Sequence, residues 1–389
     1  MAKSFAARTL ILALGLLAHS ALTLIPRAES QETNRLIFYN WDNYIHKPLL
    51  KQFEAEYRAQ IDYRFFKGND ELETMLGDDR VKFDLAVPTI QTFGRREAAA
   101  EQFLKLDRSQ LSNYSNIDPE LLRQMALDDP NNDYFVPWFM NQIVIAFDRS
   151  KIEALLPNAP LNSYRMVFDP EILKKLQSCG VEFIDETNDV MAVALHYMKF
   201  SQNSINPDDY SQVSKMLTKV SPYIRKFDTQ EYVDNLVNGK TCLALGYSSD
   251  IMVANRMRRE AGIKGEIEMI VPIEGTLRVV DVIGIAAKSQ NPKLAHKFIN
   301  FILRADKSAL NINNIGAYNG NREAINQKLV REELLKNPGI FPTAEGAKAS
   351  FTMSESNPQL SKLRRNYWYR LKANRNSQGS SQGGYGAAL

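Results

Sequence analysis

The sequence is short of the residues on which most metal sites and catalytic centres depend. Only two cysteines and four histidines occur among 389 residues. His46, His196 and His296 do not have the spacing of metal ligands, and His19 falls in an N-terminal segment that we expect to be removed. Neither H-E-x-x-H nor G-x-G-x-x-G is present. We therefore expect no enzyme, no cofactor and no metal.

Excess charge of either sign is also missing. The formal net charge is +3, with 44% apolar and 24% charged residues, which is an ordinary globular composition long enough for two domains. A nucleic-acid-binding protein would usually have a strongly basic domain, so we expect no nucleic-acid partner. The basic residues near the C-terminus are interpreted as the solvated face of a helix: Lys362, Arg364, Arg365, Arg370 and Lys372.

The first thirty residues have the layout of a secretory signal. Lys3 and Arg8 precede an apolar stretch, and small residues follow at Ala18 and Ser20. An uncleaved membrane anchor is the alternative, but the apolar span is marginal for crossing a bilayer. No cysteine lies near the segment, which argues against a lipid anchor. We expect 1–30 to be a cleaved signal peptide and the mature protein to be soluble and exported.

Two cysteines in an exported protein favour one disulfide. Cys179 and Cys242 would close a loop of about sixty residues, which stabilises a fold by roughly 4 kcal/mol on the chain-entropy model. The alternative is a pair of buried free thiols.

Strand and helix patterns alternate from residue 35 onward. The stretches "RLIFYNW", "QIDYRFF" and "FDLAVPT" are typical of strands, Pro48 opens a helix between the first two, and Asn69 can cap the next helix. Repeated β-α-β units predict an α/β fold with a largely parallel sheet covered by helices. Ligands bind such sheets beyond the carboxyl ends of the strands, where Trp41 to Tyr44 and Thr89 fall.

Two further strand patterns suggest a division into lobes. We interpret "IVIAFD" and "LRVVDVIGIAAKS" as strands that cross from one lobe to the other, which predicts two discontinuous α/β lobes with a cleft between them. We expect lobe 1 to comprise 34–137 and 281–325, and lobe 2 to comprise 138–280 and 326–372. The Gly/Ser/Gln-rich segment 373–389 is expected to be a flexible tail.

Acidic residues next to aromatic residues mark the candidate site. Asp42 lies between Trp41 and Tyr44, and Asp250 follows Tyr247. Asp281 interrupts an apolar run, where an unpaired carboxylate would be costly; its other interpretation is a structural ion pair with Arg or Lys. Carboxylates and ring faces together bind ammonium groups, so the pattern favours a ligand with several positive charges.

These stretches resemble the periplasmic polyamine-binding proteins of bacterial ABC importers, and most closely the putrescine-binding branch. The similarity runs from about Arg35 to Lys372, and in combination its motifs are highly specific. The motifs that carry it include "YNWDNYI", "FDLAVPT", "IDPELL", "DDPNN", "LQSCGVEFID", "DDYSQVSKML", "YVDNLVNGKTCLALGYSSD", "VVDVIGIAAKS" and "NPGIFP".

The resemblance implies a type II periplasmic-binding-protein fold, whose two α/β lobes close around the ligand like a hinged clamp. It also implies the Cys179–Cys242 disulfide, a periplasmic location, a polyamine such as putrescine or spermidine as ligand, and the permease of an inner-membrane ABC transporter as partner. We expect a monomer. The residues that it places at the ligand are Trp41, Asp42, Asn43, Tyr44, Thr89, Asp189, Tyr247, Asp250 and Asp281.

Several positions depart from the putrescine-binding pattern. Asp42-Asn43 replaces Ser-Asp, and Tyr247 replaces a tryptophan. Val279 and Ala317 stand where rings are expected, although Tyr318 is adjacent. These changes favour a longer or bulkier cation than putrescine. The alternative function is a ligand-dependent sensor or receptor on the same fold that binds another small cation.

Overall fold

The computed structural model describes residues 34–353 and 358–382, so the predicted signal peptide lies outside the described residues. Nine strands occur in the described part of the chain. They are β1 (Arg35–Asn40), β2 (Gln60–Phe65), β3 (Leu85–Ala86), β4 (Phe135–Phe147), β5 (Val181–Phe183), β6 (Lys226–Phe227), β7 (Leu243–Tyr247), β8 (Glu268–Ile270) and β9 (Arg278–Ile285).

The same residues form α-helices between and after the strands. They are α1 (Pro48–Tyr57), α2 (Asn69–Gly77), α3 (Arg95–Ala99), α4 (Pro119–Met125), α5 (Arg149–Leu155), α6 (Arg165–Phe168), α7 (Pro170–Leu176), α8 (Thr187–Tyr197), α9 (Pro207–Val220), α10 (Tyr232–Val237), α11 (Ser248–Glu260), α12 (Pro292–Ile302), α13 (Ala305–Ile315), α14 (Arg322–Asn326), α15 (Glu332–Leu335), α16 (Ala344–Ala349) and α17 (Pro358–Gln382). No helix in these described ranges is long and apolar enough to cross a membrane.

The strands form one sheet in the order β2-β1-β3-β9-β4-β7-β5-β6, with β8 paired to β4. At one end β1 runs parallel to β2 and β3, and at the other β5 runs parallel to β6 and β7. In the centre, β4 and β9 pair antiparallel with each other and with their neighbours. The prediction of a largely parallel sheet is therefore wrong for the centre, because two long strands run against the β-α-β units on either side.

Two hydrophobic cores lie along this sheet. Buried residues of the first core come from 36–140 and 280–340, and those of the second come from 143–279 and 353–371. The chain passes from one core to the other within β4, between Met140 and Ile143, and within β9, between Val279 and Val280. These two strands therefore join the cores, and they carry residues of both.

The start of α2 differs from the sequence prediction in a way that concerns the site. Asn69 was expected to cap this helix, but Gly68 is the capping residue and Asn69 is the first helical residue. The Asn69 side chain instead accepts a hydrogen bond from the backbone N–H of Thr89 at 3.2 Å. It thereby ties the start of α2 to the segment that follows β3.

The last helix continues to Gln382, beyond residue 373 where we expected a flexible tail to begin. Arg375 donates from Nη2 to the carbonyl oxygens of Ile224 and Arg225 at 2.6 and 2.5 Å, which attaches this part of the helix to the second core. The rest of the predicted tail, 383–389, lies outside the described residues.

The prediction of a solvated basic face near the C-terminus is wrong for Arg364, which is only 1% exposed.

A disulfide joins Cys179 and Cys242, as expected, and the two cysteines are 63 positions apart in the sequence. Cys242 directly precedes β7, and Cys179 lies just before β5. Because β5 and β7 are parallel neighbours, the bridge holds together the ends of these strands that lie away from the candidate site described below.

Candidate functional site

A cavity of about 320 Å³ lies beyond the carboxyl ends of the parallel strands. The segments after β1, β2 and β3 contribute to its wall from the first core, and the segments after β5, β6 and β7 contribute from the second core. All nine residues proposed from the sequence line it: Trp41, Asp42, Asn43, Tyr44, Thr89, Asp189, Tyr247, Asp250 and Asp281. The structure therefore brings the whole candidate set together in one place.

Asp281 is held by two hydroxyl groups from the first core. Tyr44 donates from its hydroxyl to Oδ2 at 2.8 Å, and Thr89 donates from Oγ1 to Oδ1 at 2.7 Å. Asp281 is 6% exposed, and burial raises its pKa to about 7 although both hydroxyl donors act to lower it. The carboxyl group is thus fixed by neutral donors, which leaves its charge available to a cation in the cavity.

Tyr44 is itself fixed by its neighbours. Asn141 of β4 donates from Nδ2 to its hydroxyl oxygen, and Trp138 donates from Nε1 to its backbone carbonyl at 3.1 Å. Burial raises the pKa of Tyr44 well above its ordinary value, and the charge of Asp281 adds to this effect. Tyr44 therefore remains a neutral hydrogen-bond donor.

Asp250 and Tyr232 form a second pair. Asp250 lies in the first turn of α11, and its Oδ2 accepts a hydrogen bond from the Tyr232 hydroxyl at 2.6 Å. The same hydroxyl oxygen accepts from the backbone N–H of Tyr247 at 3.1 Å, which joins α10 to the end of β7. Burial raises the pKa of Asp250 to about 6.

Asp189 and Tyr247 form the third pair. Tyr247 donates from its hydroxyl to Asp189 Oδ2 at 2.6 Å. Burial raises the pKa of Asp189 to about 6, whereas Tyr247 and the positive charge of Arg364 act to lower it. The substitution of tyrosine for the expected tryptophan thus provides a hydroxyl that holds a cavity carboxylate.

Glu186, which the sequence analysis did not single out, extends this acidic group. It lies immediately before α8 and lines the cavity three positions before Asp189. Burial raises its pKa to about 8, and the charge of Asp189 contributes to that rise. A signal was present in the sequence, because an acid pair spaced by three falls on one side of a helix start.

Aromatic rings also line the cavity. Trp41 packs edge-on against Phe66, with ring centroids 4.7 Å apart, and its carbonyl accepts from the Tyr63 hydroxyl at 3.2 Å. Phe65 also lines the cavity although it is 60% exposed. Neither phenylalanine is predicted as a site residue, because the stretch "QIDYRFF" indicates only a strand.

Asp42 and Asn43 lie at the exposed mouth of the cavity. The Asn43 backbone N–H donates to Asp42 Oδ1 at 2.8 Å, and Asn43 adopts a left-handed conformation with φ of 52°. Asparagine tolerates this conformation better than most residues do. The two residues form a tight turn that lets the chain pass from β1 to the buried Tyr44.

The positions that depart from the putrescine-binding pattern lie in different environments. Val279 lines the cavity, but neither Ala317 nor Tyr318 is among its described lining residues. The Tyr318 hydroxyl donates to Asp118 Oδ2 at 3.1 Å, and its ring packs against Phe341. Tyr318 therefore does not supply the ring that Ala317 lacks.

Charge and shape together define what the cavity can hold. Lys67 is the only Lys or Arg among the described lining residues, which include six acids: Asp42, Glu186, Asp189, Asp234, Asp250 and Asp281. No group of three or more His, Cys, Asp or Glu in the described chain is placed to hold a metal ion. The arrangement suits an elongated organic cation whose charges meet carboxylates and whose carbon chain meets rings.

Comparisons with known proteins identify the family. Residues 40–309 match the family model for bacterial extracellular solute-binding proteins. The chain is 33% identical over 361 residues to the putrescine-binding periplasmic protein PotF of Escherichia coli, which covers 92% of this chain and 97% of that protein. It is 30% identical over 363 residues to a putrescine/agmatine-binding protein of Pseudomonas aeruginosa, covering 93% and 98%.

A solved structure shares the fold. The spermidine/putrescine ABC transporter substrate-binding protein PotD from Streptococcus pneumoniae aligns with a TM-score of 0.72 and 22% identity, covering 88% of this chain and 99% of that protein. This likeness supports the two-lobed fold of periplasmic binding proteins. With the family match over most of the sequence, it leads to one conclusion: this chain belongs to the bacterial extracellular solute-binding protein family.

Proposed function

We propose that this protein captures a polyamine or a related organic cation in the periplasm and delivers it to the permease of an ABC importer. The observation that carries the proposal is the set of three Asp–Tyr pairs whose carboxylates line one cavity: Tyr44–Asp281, Tyr232–Asp250 and Tyr247–Asp189. In each pair a neutral hydroxyl orients a carboxylate without neutralising it. Each carboxylate is therefore ready to receive an ammonium or guanidinium group.

The ligand should carry at least two positive charges. One ammonium–carboxylate contact is worth about 4 kcal/mol at partial exposure before the cost of desolvation. Asp281 is fixed to residues of the first core, whereas Asp189 and Asp250 belong to helices of the second core. A ligand with charges at both ends can bind both sets at once, which a monovalent amine cannot do.

Closure of the cleft follows from the same contacts. We propose that the two hydrophobic cores are the two lobes and that β4 and β9 are the crossings between them. A ligand that contacts both lobes stabilises the closed arrangement over the open one. The lobe boundaries predicted from sequence stay a prediction, with one amendment: Val330, Leu334 and Ile340 pack in the first core, so we place the last crossing between residues 340 and 353.

The ring missing at position 279 bears on selectivity. Val279 leaves room on the β9 side of the cavity, and Tyr318 does not fill it. We propose that spermidine or a guanidinium-bearing amine such as agmatine binds at least as tightly as putrescine. The protein acts as a monomer, performs no reaction and has no nucleic-acid partner in this proposal.

Titration calorimetry on the purified mature protein tests the function. Putrescine, cadaverine, spermidine and agmatine are the probes, with neutral amino acids as controls. The proposal requires 1:1 binding of at least one di- or trivalent amine and none of the amino acids. Binding of no polyamine, or equal binding of amino acids, would refute it.

The alternative function, a sensor on the same fold, predicts the same ligand chemistry. The two functions differ in the partner of the liganded protein, which is a permease for transport and another protein for sensing. Stimulation of the ATPase of a reconstituted permease complex by the liganded protein supports transport, whereas its absence together with tight polyamine binding favours sensing.

A further inference from the structure

Arg364 of α17 is a fully buried cation close to the cavity. It is 1% exposed, and its guanidinium donates to three neutral acceptors: Gln202 O at 2.5 Å, Met353 Sδ at 3.0 Å and Asn188 Oδ1 at 3.4 Å. Its Nε has no hydrogen-bond partner among the residues that the structure describes. A buried guanidinium with neutral partners is costly unless a negative charge nearby compensates it.

Two of these three acceptors are part of the cavity wall. Asn188 and Met353 both line the cavity, and Asn188 immediately precedes Asp189 in α8. Arg364 thus connects the last helix of the chain to the segment that carries Glu186 and Asp189.

Asp189 is the cavity carboxylate that the charge of Arg364 affects. The positive charge of Arg364 acts to lower the pKa of Asp189, against the effect of burial. The other ionisable groups that face Asp189 are Tyr247 from β7, Glu186 from the start of α8 and Asp281 from β9. Tyr247 is a neutral donor, and the two acids are negative when ionised. Arg364 is therefore the positive charge that offsets them.

We propose that Arg364 is a positioning residue for the ligand site, which fixes Asn188 and Met353 in the cavity wall and supplies a buried positive charge to the Asp189 carboxylate. This inference rests on the proposed function for its effect on ligand binding. Its effect on Asp189 itself exists without any ligand. Arg364 contacts two residues of the cavity wall but is not itself among the described lining residues.

The first test measures the ionisation of Asp189 in the ligand-free protein. Carboxyl ¹³C NMR, assigned with Asp189→Asn, follows the titration in wild type, Arg364→Gln, Arg364→Met and Arg364→Lys. Both neutral variants should raise the pKa of Asp189, and the lysine variant should leave it close to the wild-type value. Arg375→Gln is the matched control, because Arg375 lies on the same helix and also donates to backbone carbonyls but has no cavity neighbour.

The second test is the affinity for putrescine and spermidine at pH 6 and pH 8.5. If the pKa of Asp189 rises by one unit, Arg364→Gln should weaken binding by up to about tenfold at pH 6 and leave it close to wild type at pH 8.5. In an Asp189→Asn background, the same change should have no pH-dependent effect. A simple packing defect would weaken binding equally at both pH values.

The outcomes separate this inference from the proposed function. An Asp189 pKa that is unchanged in both neutral variants, or a loss of affinity independent of pH, overturns the role of Arg364. Should neither neutral variant fold, an Asp189 pKa in Arg364→Lys well above wild type overturns it equally. Wild-type protein that binds no polyamine at either pH refutes the proposed function, while the NMR titration still decides the effect of Arg364 on Asp189.

Discussion

Tyr44 and Asp281 lie 237 positions apart in the sequence, and their side chains are joined by a 2.8 Å hydrogen bond. The contact joins the segment after β1 to the middle of β9, which is the strand that passes between the two cores. It therefore fixes a buried carboxylate at the junction of the cores, where a ligand that contacts both would lie.

Asp281→Asn should weaken polyamine binding by about ten- to a hundredfold. The amide retains an acceptor for Tyr44 or Thr89 but removes the charge, and a hydrogen bond to a charged group is worth about 1.5 to 3 kcal/mol. Calorimetry measures the affinity. Asp42→Asn is the matched control, because Asp42 is exposed at the mouth and should matter less. Equal affinity in Asp281→Asn and wild type, with equal melting temperatures, would remove Asp281 from the site.

Trp41→Ala should weaken binding by about 1 to 2 kcal/mol, the value of a desolvated cation–ring contact. Trp41→Phe keeps a ring face and should lose less. Both affinities are measured by calorimetry, and circular dichroism follows folding. Trp41 packs against Phe66, so its removal could instead act on the fold. Unfolding of the alanine variant at ordinary temperature would identify Trp41 as a core residue only.

The ligand-free protein should lose stability as the pH rises from about 4 to 8. Asp281 has a pKa of about 7 in the folded chain against an ordinary 3.8, so folding favours its protonated form. Its stabilising contribution is complete below about pH 4 and is lost as the pH rises through 7. Because each pKa unit is worth about 1.4 kcal/mol, the loss is on the order of a few kcal/mol. Urea unfolding measured across this range provides the check.

Cation binding should become tighter as the pH rises from 5 to 8, because Asp281, Asp189 and Asp250 ionise over this range. A bound ammonium group favours the ionised form, so binding releases protons. Calorimetry in buffers with different ionisation enthalpies measures that release. In Asp281→Asn the proton release should be smaller and the fall in stability with pH shallower. A wild-type affinity that is flat over this range would contradict the buried, protonatable state of these acids.

Selectivity should favour the longer cations. Spermidine or agmatine is expected to bind more tightly than putrescine by roughly 1 kcal/mol or more, because Val279 leaves space and fewer ring contacts grip a short chain. Val279→Phe should restore a ring and reduce this preference. Val280→Ile is the control on the same strand, since Val280 packs in the first core and does not line the cavity. Tighter binding of putrescine than of every longer amine would refute this prediction.

Removing the disulfide should cost about 4 kcal/mol in the free energy of unfolding, because the bridge closes a loop across 63 positions. The double variant Cys179→Ser/Cys242→Ser should unfold at lower urea concentration, whereas polyamine affinity at low temperature should change little. Thiol titration of the unreduced, denatured wild type should find no free cysteine. Two free thiols would contradict the bridge.

The sequence by itself determined the fold class and the strand ends that line the cavity. Alternating strand and helix patterns place Trp41 and Thr89 at carboxyl ends of strands, and an acid within the apolar run at Asp281 is a local signal of a functional carboxylate. Such features depend on neighbours in the chain, so they can be predicted from periodicity and from the cost of burying charge.

Only the tertiary structure decided which groups meet. Tyr232 pairs with Asp250, and Tyr247 with Asp189, across distances in sequence that no local pattern specifies. The antiparallel centre of the sheet depends on the pairing of β4 with β9, which lie more than a hundred residues apart. The burial of Arg364 likewise comes from packing of the last helix against α8 and α9, since a basic residue on an isolated helix would face water. Long-range contacts of this kind form only when the whole chain has folded, and they set the charge, the orientation and the pKa of the site.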